Sequence, residues 1–275
     1  MLSVRRKKGP VSPRIASLVP SLTELVVELG LGPRLVARTG FCIHPADAVR
    51  SVPKVGGTKA VNLRKLRRLA PTHVLVNVDE NRHDIVPALH EMGAQVVVTH
   101  PCSPEDNLAL VDQVAAVFDA EPGVRDRAGA LREALQHELG ETRDDQRQSQ
   151  RVLYLIWHDP WMTVARDTYL SRMLARIGWH TEPAQHGGPQ GAARYPVVRG
   201  DEPWLAQVDR VLLSSEPFAF DERHAAQAQA LCPQARVQRV DGELLSWYGA
   251  RAVPGLRYLR QLRDRQNAAW TSTSR

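Results

Sequence analysis

Strand-like and helix-like segments alternate along two stretches of this chain, and one long amphipathic segment without a strand signal separates them. Such alternation demands parallel sheets covered by helices, because joining two parallel strands takes a crossover long enough to hold a helix. In the first stretch, residues 14–19, 72–78 and 94–99 read as strands; in the second, residues 152–157, 210–214 and 235–240 do. Between them Val124, Ala128, Leu131, Leu135 and Leu139 recur at spacings of three and four, which predicts one amphipathic helix over residues 122–150. The expected fold is therefore α/β: two Rossmann-like lobes with parallel sheets, residues 14–121 and 151–270, joined by one long backbone helix. A chain of 275 residues is long enough for each lobe to bury its own core. Ligands of open α/β sheets sit beyond the strand carboxyl ends, so two such edges predict a ligand cleft between the lobes.

Local signals place the helix ends. Pro20 stops the first strand, and Ser21-Leu22-Thr23-Glu24 has the spacing of a capping box, with Gly30 as the stop. Asp167 reads as the cap of a helix over residues 169–177, ended by Gly178. Val55-Gly56-Gly57-Thr58-Lys59 lacks the spacing of a phosphate loop and is followed by a helix capped by Asn62. That helix turns Leu63, Leu66 and Leu69 inward and leaves Arg64, Lys65, Arg67 and Arg68 outside.

The net charge of +6 is dispersed, and the chain carries no zinc finger, aromatic RNA-binding motif or basic heptad run, so no nucleic-acid partner is expected. Cys42, Cys102 and Cys232 are odd in number and far apart, which argues against a disulfide scaffold and against a zinc knuckle. No run approaches the ~18 apolar residues of a membrane span. Residues 1–13 contain Arg5-Arg6-Lys7-Lys8 with no apolar core after them, so a cytoplasmic protein is expected, or a periplasmic one if translation starts further upstream.

Three segments could carry chemistry. Phe41-Cys42-Ile43-His44-Pro45 sets a thiol and an imidazole two residues apart; both suit soft or borderline metals, and Cys42 and His44 are the candidates for a metal site. Two ligands do not complete such a site, and a packed loop pair is the competing reading. Trp157 and Trp161 flank a His-Asp-Pro turn at a strand end and suggest a flat apolar ligand face. Asp241, Glu243, Trp247, Tyr248 and Arg251 crowd one loop after the last strand, where the two aromatic rings beside acids and an Arg read as a ligand-binding face. Glu80 and Glu216 stand at corresponding strand ends in the two lobes and are further candidates for ligand binding. No nucleophile elbow or dinucleotide fingerprint accompanies these residues, so none is assigned as catalytic and no cofactor is required.

With these motifs in order, the chain resembles the helical-backbone solute-binding proteins of ABC transporters, the group with cobalamin-binding and iron-siderophore-binding members. The likeness rests on Ser17-Leu18-Val19-Pro20-Ser21-Leu22-Thr23-Glu24, on Val55-Gly56-Gly57 with Asn62-Leu63, and on Leu69-Ala70-Pro71-Thr72-His73-Val74-Leu75-Val76. A narrower likeness to the cobalamin-binding-like metal receptors runs through residues 41–45, 80–82, 159–163, 215–218 and 241–249. The resemblance implies a monomer that holds a corrinoid or ferric chelate between its lobes. It also implies delivery to an ABC permease through acidic surface residues, for which Asp84 and Glu222 are the candidates. Two alternatives stand beside it: a cytosolic enzyme or sensor of the same fold using Cys42, His44, Asp241 and Glu243, and an interaction module using the basic surface.

Overall fold

A computed structural model describes residues 12–142 and 149–273, the last nine of these by backbone alone. In chain order the first part runs β1 (Ile15–Ser17), α1 (Pro20–Glu28), β2 (Leu35–Arg38), α2 (Ala46–Val49), α3 (Leu63–Arg68), β3 (His73–Asn77), α4 (Val86–Glu91) and β4 (Gln95–Thr99). Two helices come next, α5 (Asp106–Val117) and α6 (Val124–Glu141). The rest runs β5 (Gln150–Leu155), α7 (Tyr169–Ala175), β6 (Trp179–Thr181), β7 (Arg210–Ser214), α8 (Glu222–Leu231), β8 (Arg236–Val240), α9 (Gly242–Ser246) and α10 (Ala252–Thr273). The chain divides into two compact units: residues up to Thr99 with Val114–Val124, and His100–Gln113 with the chain from Arg125 onward.

The first unit has a four-stranded parallel sheet in the order β2-β1-β3-β4. Its core gathers Ala16, Leu18, Ala37, Val55, Leu66, Val74, Val76 and Leu89. Leu66 is the buried face of α3 while the neighbouring basic residues stay exposed, as the pattern requires. Asn62 caps that helix by accepting from the Lys65 N–H at 2.9 Å.

The second unit repeats the plan with β6-β5-β7-β8, again all parallel. In both sheets the first strand has its successor on one side and the third strand on the other. The strand order therefore reverses between β1 and β3 and between β5 and β7, and such switch points open a crevice at the carboxyl ends where ligands of α/β sheets bind. Most of α6 belongs to this unit: Leu139 packs with Val152, Leu174 and Leu259, and the buried Glu138 receives Arg257 at 2.6 Å and Arg260 at 3.3 Å. The remainder of the expected helix to residue 150 runs into residues 143–148, outside the described residues, and β5 already begins at Gln150.

The structure corrects two caps and adds two strands. Val19, not Ser21, is the cap position of α1, because Pro20 has no N–H to satisfy and its fixed φ suits the first helical position. Ser21 therefore lies inside the helix, and Thr23 Oγ1 donates back to the Val19 carbonyl or the Ser17 hydroxyl at 2.9 and 2.8 Å. Thr168 caps α7, and Asp167 instead accepts from the N–H groups of Gly187 and Gly188, both at 2.9 Å, tying down the glycine-rich loop. The added strands are β2 and β6, the outer strand beside the first strand of each sheet. Residues 241–251, expected as a loop, include the short helix α9.

Candidate functional site

At the switch point of the first unit, two asparagines build the loop after β3. Asn77 Oδ1 accepts from the N–H groups of Asp79 and Glu80 at 2.8 and 3.2 Å, and Asn81 Oδ1 accepts from the Asn77 N–H at 2.9 Å. The Asn81 amide donates to the carbonyls of Leu18 and Thr58, joining the β1–α1 turn to the loop at Gly57. Glu80 is thus held by its backbone at the β3 end and is half-buried. Asn81 falls within the segment 80–82 of the sequence motifs, but neither asparagine carries a role there; their signal is an Asn-x-x-x-Asn spacing that starts at the strand's last residue, where Asn side chains build turns.

The Cys42 segment is turned the other way from its expected use. Arg38, itself buried, donates to the carbonyls of Val49, Thr39 and Cys42 and fixes the loop from within. The Cys42 side chain is fully buried, with its sulfur 3.1 Å from Thr39 Oγ1. Burial, ahead of every other influence, pushes its thiol upward and disfavours the thiolate that metal ligation needs. His44 is half-buried on the adjoining turn. Among the described residues no three His, Cys, Asp or Glu side chains are grouped to hold a metal ion. What the segment presents to solvent is apolar: Phe41 is 63% and Ile43 49% exposed. A Cβ on Gly57 would lie 3.2 Å from the Phe41 ring, so the glycine lets that ring lie against the backbone.

The second unit's switch point carries rings. Trp157 lies two residues beyond β5, and its backbone pairs with Met162 across the turn that Asp159 makes at φ 58°. Trp157 meets Phe218 edge-on at 5.5 Å; Phe218 contacts Phe220 at 4.8 Å and His224 at 5.0 Å. His158 lies 4.5 Å from Trp161 and 4.9 Å from His224, and Trp161 stacks on Phe220 at 6.0 Å. These six rings form one cluster at the carboxyl ends of β5 and β7, with Trp157 left 42% exposed. The sequence motifs hold the two tryptophans but not Phe218, Phe220 or His224 as ring contacts, because their contribution depends on the β7–α8 loop folding back.

Residues 241–251 come together around Glu216, but inward. Glu216 Oε1 accepts from Ser246 Oγ and from Trp247 Nε1, both at 2.7 Å. The guanidinium of Arg251 lies 4.8 Å above the Trp247 ring and donates to Glu243 at 3.1 Å. Trp247 is only 7% exposed, and Tyr248 is buried edge-on against Tyr169. Asp241 caps α9 by accepting from the Leu244 N–H at 3.0 Å. Of this set, the structure places Trp247 and Tyr248 in the packing of the unit and Asp241 at a helix cap. Arg251 and Glu243 stay half-buried.

Gly242 explains how the acid comes so close. A Cβ there would fall 2.3 Å from Ser214 Oγ and 2.8 Å from Glu216 Cγ. Gly242→Ala is therefore expected to cost about 1–3 kcal/mol, since an overpacked site must shift its neighbours. A urea melt checks it; an unchanged midpoint would mean that Glu216 moves aside at no cost.

Residues 15–193 match the family model described as periplasmic binding protein. An uncharacterized ABC transporter substrate-binding lipoprotein, YvrC, of Bacillus subtilis (strain 168) is 24% identical over 92% of this chain and 80% of its own length. A vitamin B12-binding protein of Vibrio vulnificus (strain YJ016) is 25% identical over 82% of this chain and 77% of its own. Among solved structures, the fold is shared with a periplasmic heme-binding protein, RhuT, from Roseiflexus sp. RS-1, with a TM-score of 0.74, 19% identity and coverage of 92% and 99%. These findings overturn the cytoplasmic placement expected from the first residues: the family is periplasmic and the relatives include a lipoprotein.

Proposed function

The chain belongs to the periplasmic binding protein family, and from that premise we propose that it binds a corrinoid or porphyrin-like metal chelate for ABC-type uptake outside the cytoplasmic membrane. The observation that carries the ligand class is the six-ring cluster at the β5–β7 switch point. A flat macrocycle offers broad apolar faces, and indole and phenyl rings give large rigid contact area to such a face at little entropic cost. Trp157 is the exposed member of the cluster, and His158 and His224 add imidazoles to an otherwise apolar surface. In the first unit the exposed Phe41 and Ile43 supply the same kind of surface. Membership of a family of binding proteins sets aside the enzyme alternative, and the Cys42 thiol that alternative would use is buried.

We propose further that the chain works as a monomer and meets its permease through Asp84 and Glu222. Both are exposed, one in each unit; Asp84 is held by Arg82, and Glu222 lies 3.9 Å from Arg239.

Titration with cyanocobalamin and, separately, with ferric heme tests the ligand class through tryptophan quenching and the melting temperature. A ligand that binds only the folded chain raises that temperature with concentration. Saturable binding of at least one is expected; no quenching and no thermal shift with either would overturn the reading. Phe218→Ala, which removes the ring at the centre of the cluster, should weaken that binding by about 1–2 kcal/mol, roughly five- to thirtyfold.

A further inference from the structure

The turn beyond β5 leads into a small antiparallel ribbon in which residues 161–165 pair with residues 194–198. The Thr163 N–H donates to the Pro196 carbonyl at 2.9 Å, Ala165 to Arg194 at 2.8 Å and Val198 to Trp161 at 2.8 Å. In this register Met162 stands opposite Val197, and on its other side it pairs with Trp157. Met162 and Val197 share no backbone bond, the kind of pair whose side chains come closest on one face.

Side chains alternate across such a ribbon. Trp161 and Val198 face inward and pack in the cluster of Val211, Leu213 and Phe220. Met162 and Val197 therefore face outward; Met162 is half-buried and Val197 is 48% exposed. An antiparallel ribbon with one face in water ordinarily keeps that face polar. Here both faces are apolar, and the outward one runs into the exposed Trp157, whose ring meets Phe218. Five large apolar side chains stand well exposed among the described residues, and two of them, Trp157 and Val197, flank Met162.

The outward face is also held in place. At one end of the outer strand the fully buried Arg194 donates to the Gly188 carbonyl at 2.8 Å. Beyond the other end the Glu202 carboxylate accepts from the N–H groups of Arg199 and Gly200, both at 2.9 Å. A preorganised face loses little freedom when a ligand covers it.

We propose that Trp157, Met162 and Val197 form a second wall of the ligand site, against which the broad apolar face of the bound macrocycle lies, a placement that rests on the ligand class proposed above. Continuity with the ring cluster through Trp157 identifies the occupant. A flat ligand lying against the exposed indole extends over Met162 to Val197, two strand spacings or about 10 Å away. The Met162 thioether gives the edge of a conjugated ring a polarisable partner.

Tryptophan quenching of the full chain by cyanocobalamin and, separately, by ferric heme tests this with variants on and off the strip. Val197→Asp sets a charge on the strip and should weaken binding of whichever chelate wild type takes by at least about tenfold. Met162→Gln keeps the side-chain length and should weaken it by about fivefold. Val98→Asp, at an equally exposed valine on β4 of the first unit, should bind like wild type. Melting temperatures of the ligand-free variants, expected to match wild type, separate a lost contact from lost folding. Should Val197→Asp melt earlier, Val197→Thr, which keeps the shape, takes its place. Wild-type affinity in the Val197 and Met162 variants would overturn the second wall and leave the ligand class standing, whereas no quenching of wild type by either chelate would overturn both. An equal loss in Val98→Asp would also overturn the wall. So would a wild-type dimer that Val197→Asp breaks into monomers, since a second copy would then cover the face.

Discussion

Replacing Trp247 by alanine is expected to destabilise the chain by about 3–5 kcal/mol, the range for truncating a buried tryptophan. The indole is 7% exposed, its Nε1–H is bonded to Glu216 at 2.7 Å, and Arg251 covers its face at 4.8 Å. Truncation would open a cavity, leave the Glu216 carboxylate with one donor fewer and remove the ring beneath the Arg251 cation. Since small domains are held together by about 5–15 kcal/mol, this one change would take up a large share of the total. Urea denaturation of wild type and Trp247→Ala checks it. Equal midpoints together with a loss of ligand binding would show the ring to be a ligand contact instead.

The contrast between Trp247 and Trp157 shows how far residue type could be read from sequence. Both are tryptophans near acids just after a strand, and both read as ligand faces. The difference lies in the path of the chain around each ring. Asp159 turns the chain sharply after Trp157 and leaves its ring outside, whereas α9 carries Trp247 back under Arg251. The same holds for Cys42, whose neighbours Phe41 and Ile43 face solvent because Arg38 anchors the loop from the inside. These outcomes depend on contacts between segments far apart in sequence, which no local spacing reports. What local pattern did carry was the alternation itself. The central strands β1, β3, β5 and β7 are buried apolar runs bounded by turn residues, and their helices have clear periodicity. The strands β2 and β6 are not legible in the same way, because Leu35–Arg38 and Trp179–Thr181 mix apolar with polar residues over four and three positions, whereas the equally short β1 lies in the longer, mostly apolar run of residues 15–19. Missing them hid the strand order 2-1-3-4 in each unit, and with it the two switch points that locate the candidate site.

Glu216→Ala is expected to cost about 2–3 kcal/mol, because it strands two donors, Ser246 Oγ–H and Trp247 Nε1–H, that now share one charged acceptor. Glu216→Gln should cost less, since its amide oxygen can still accept. The two variants also separate charge from hydrogen bonding through pH. Burial is the largest influence on the Glu216 carboxyl and raises it above 4.5, its ordinary value; the nearby Glu243 and Asp241 carboxylates push the same way, against the bonds from Ser246 and Trp247. An acid whose folded value exceeds its unfolded one binds its proton more tightly when folded. Its contribution is therefore fully present below the unfolded value and is lost as pH rises through the folded one. Wild type should accordingly lose stability relative to Glu216→Gln as pH climbs from below about 4.5 to neutrality, because the glutamine has no proton to release. Melts of both proteins across that window measure the difference directly. A difference that stays flat with pH would mean that Glu216 titrates alike in the folded and unfolded chain, and that the carboxylate serves Trp247 only as an oxygen in the right place.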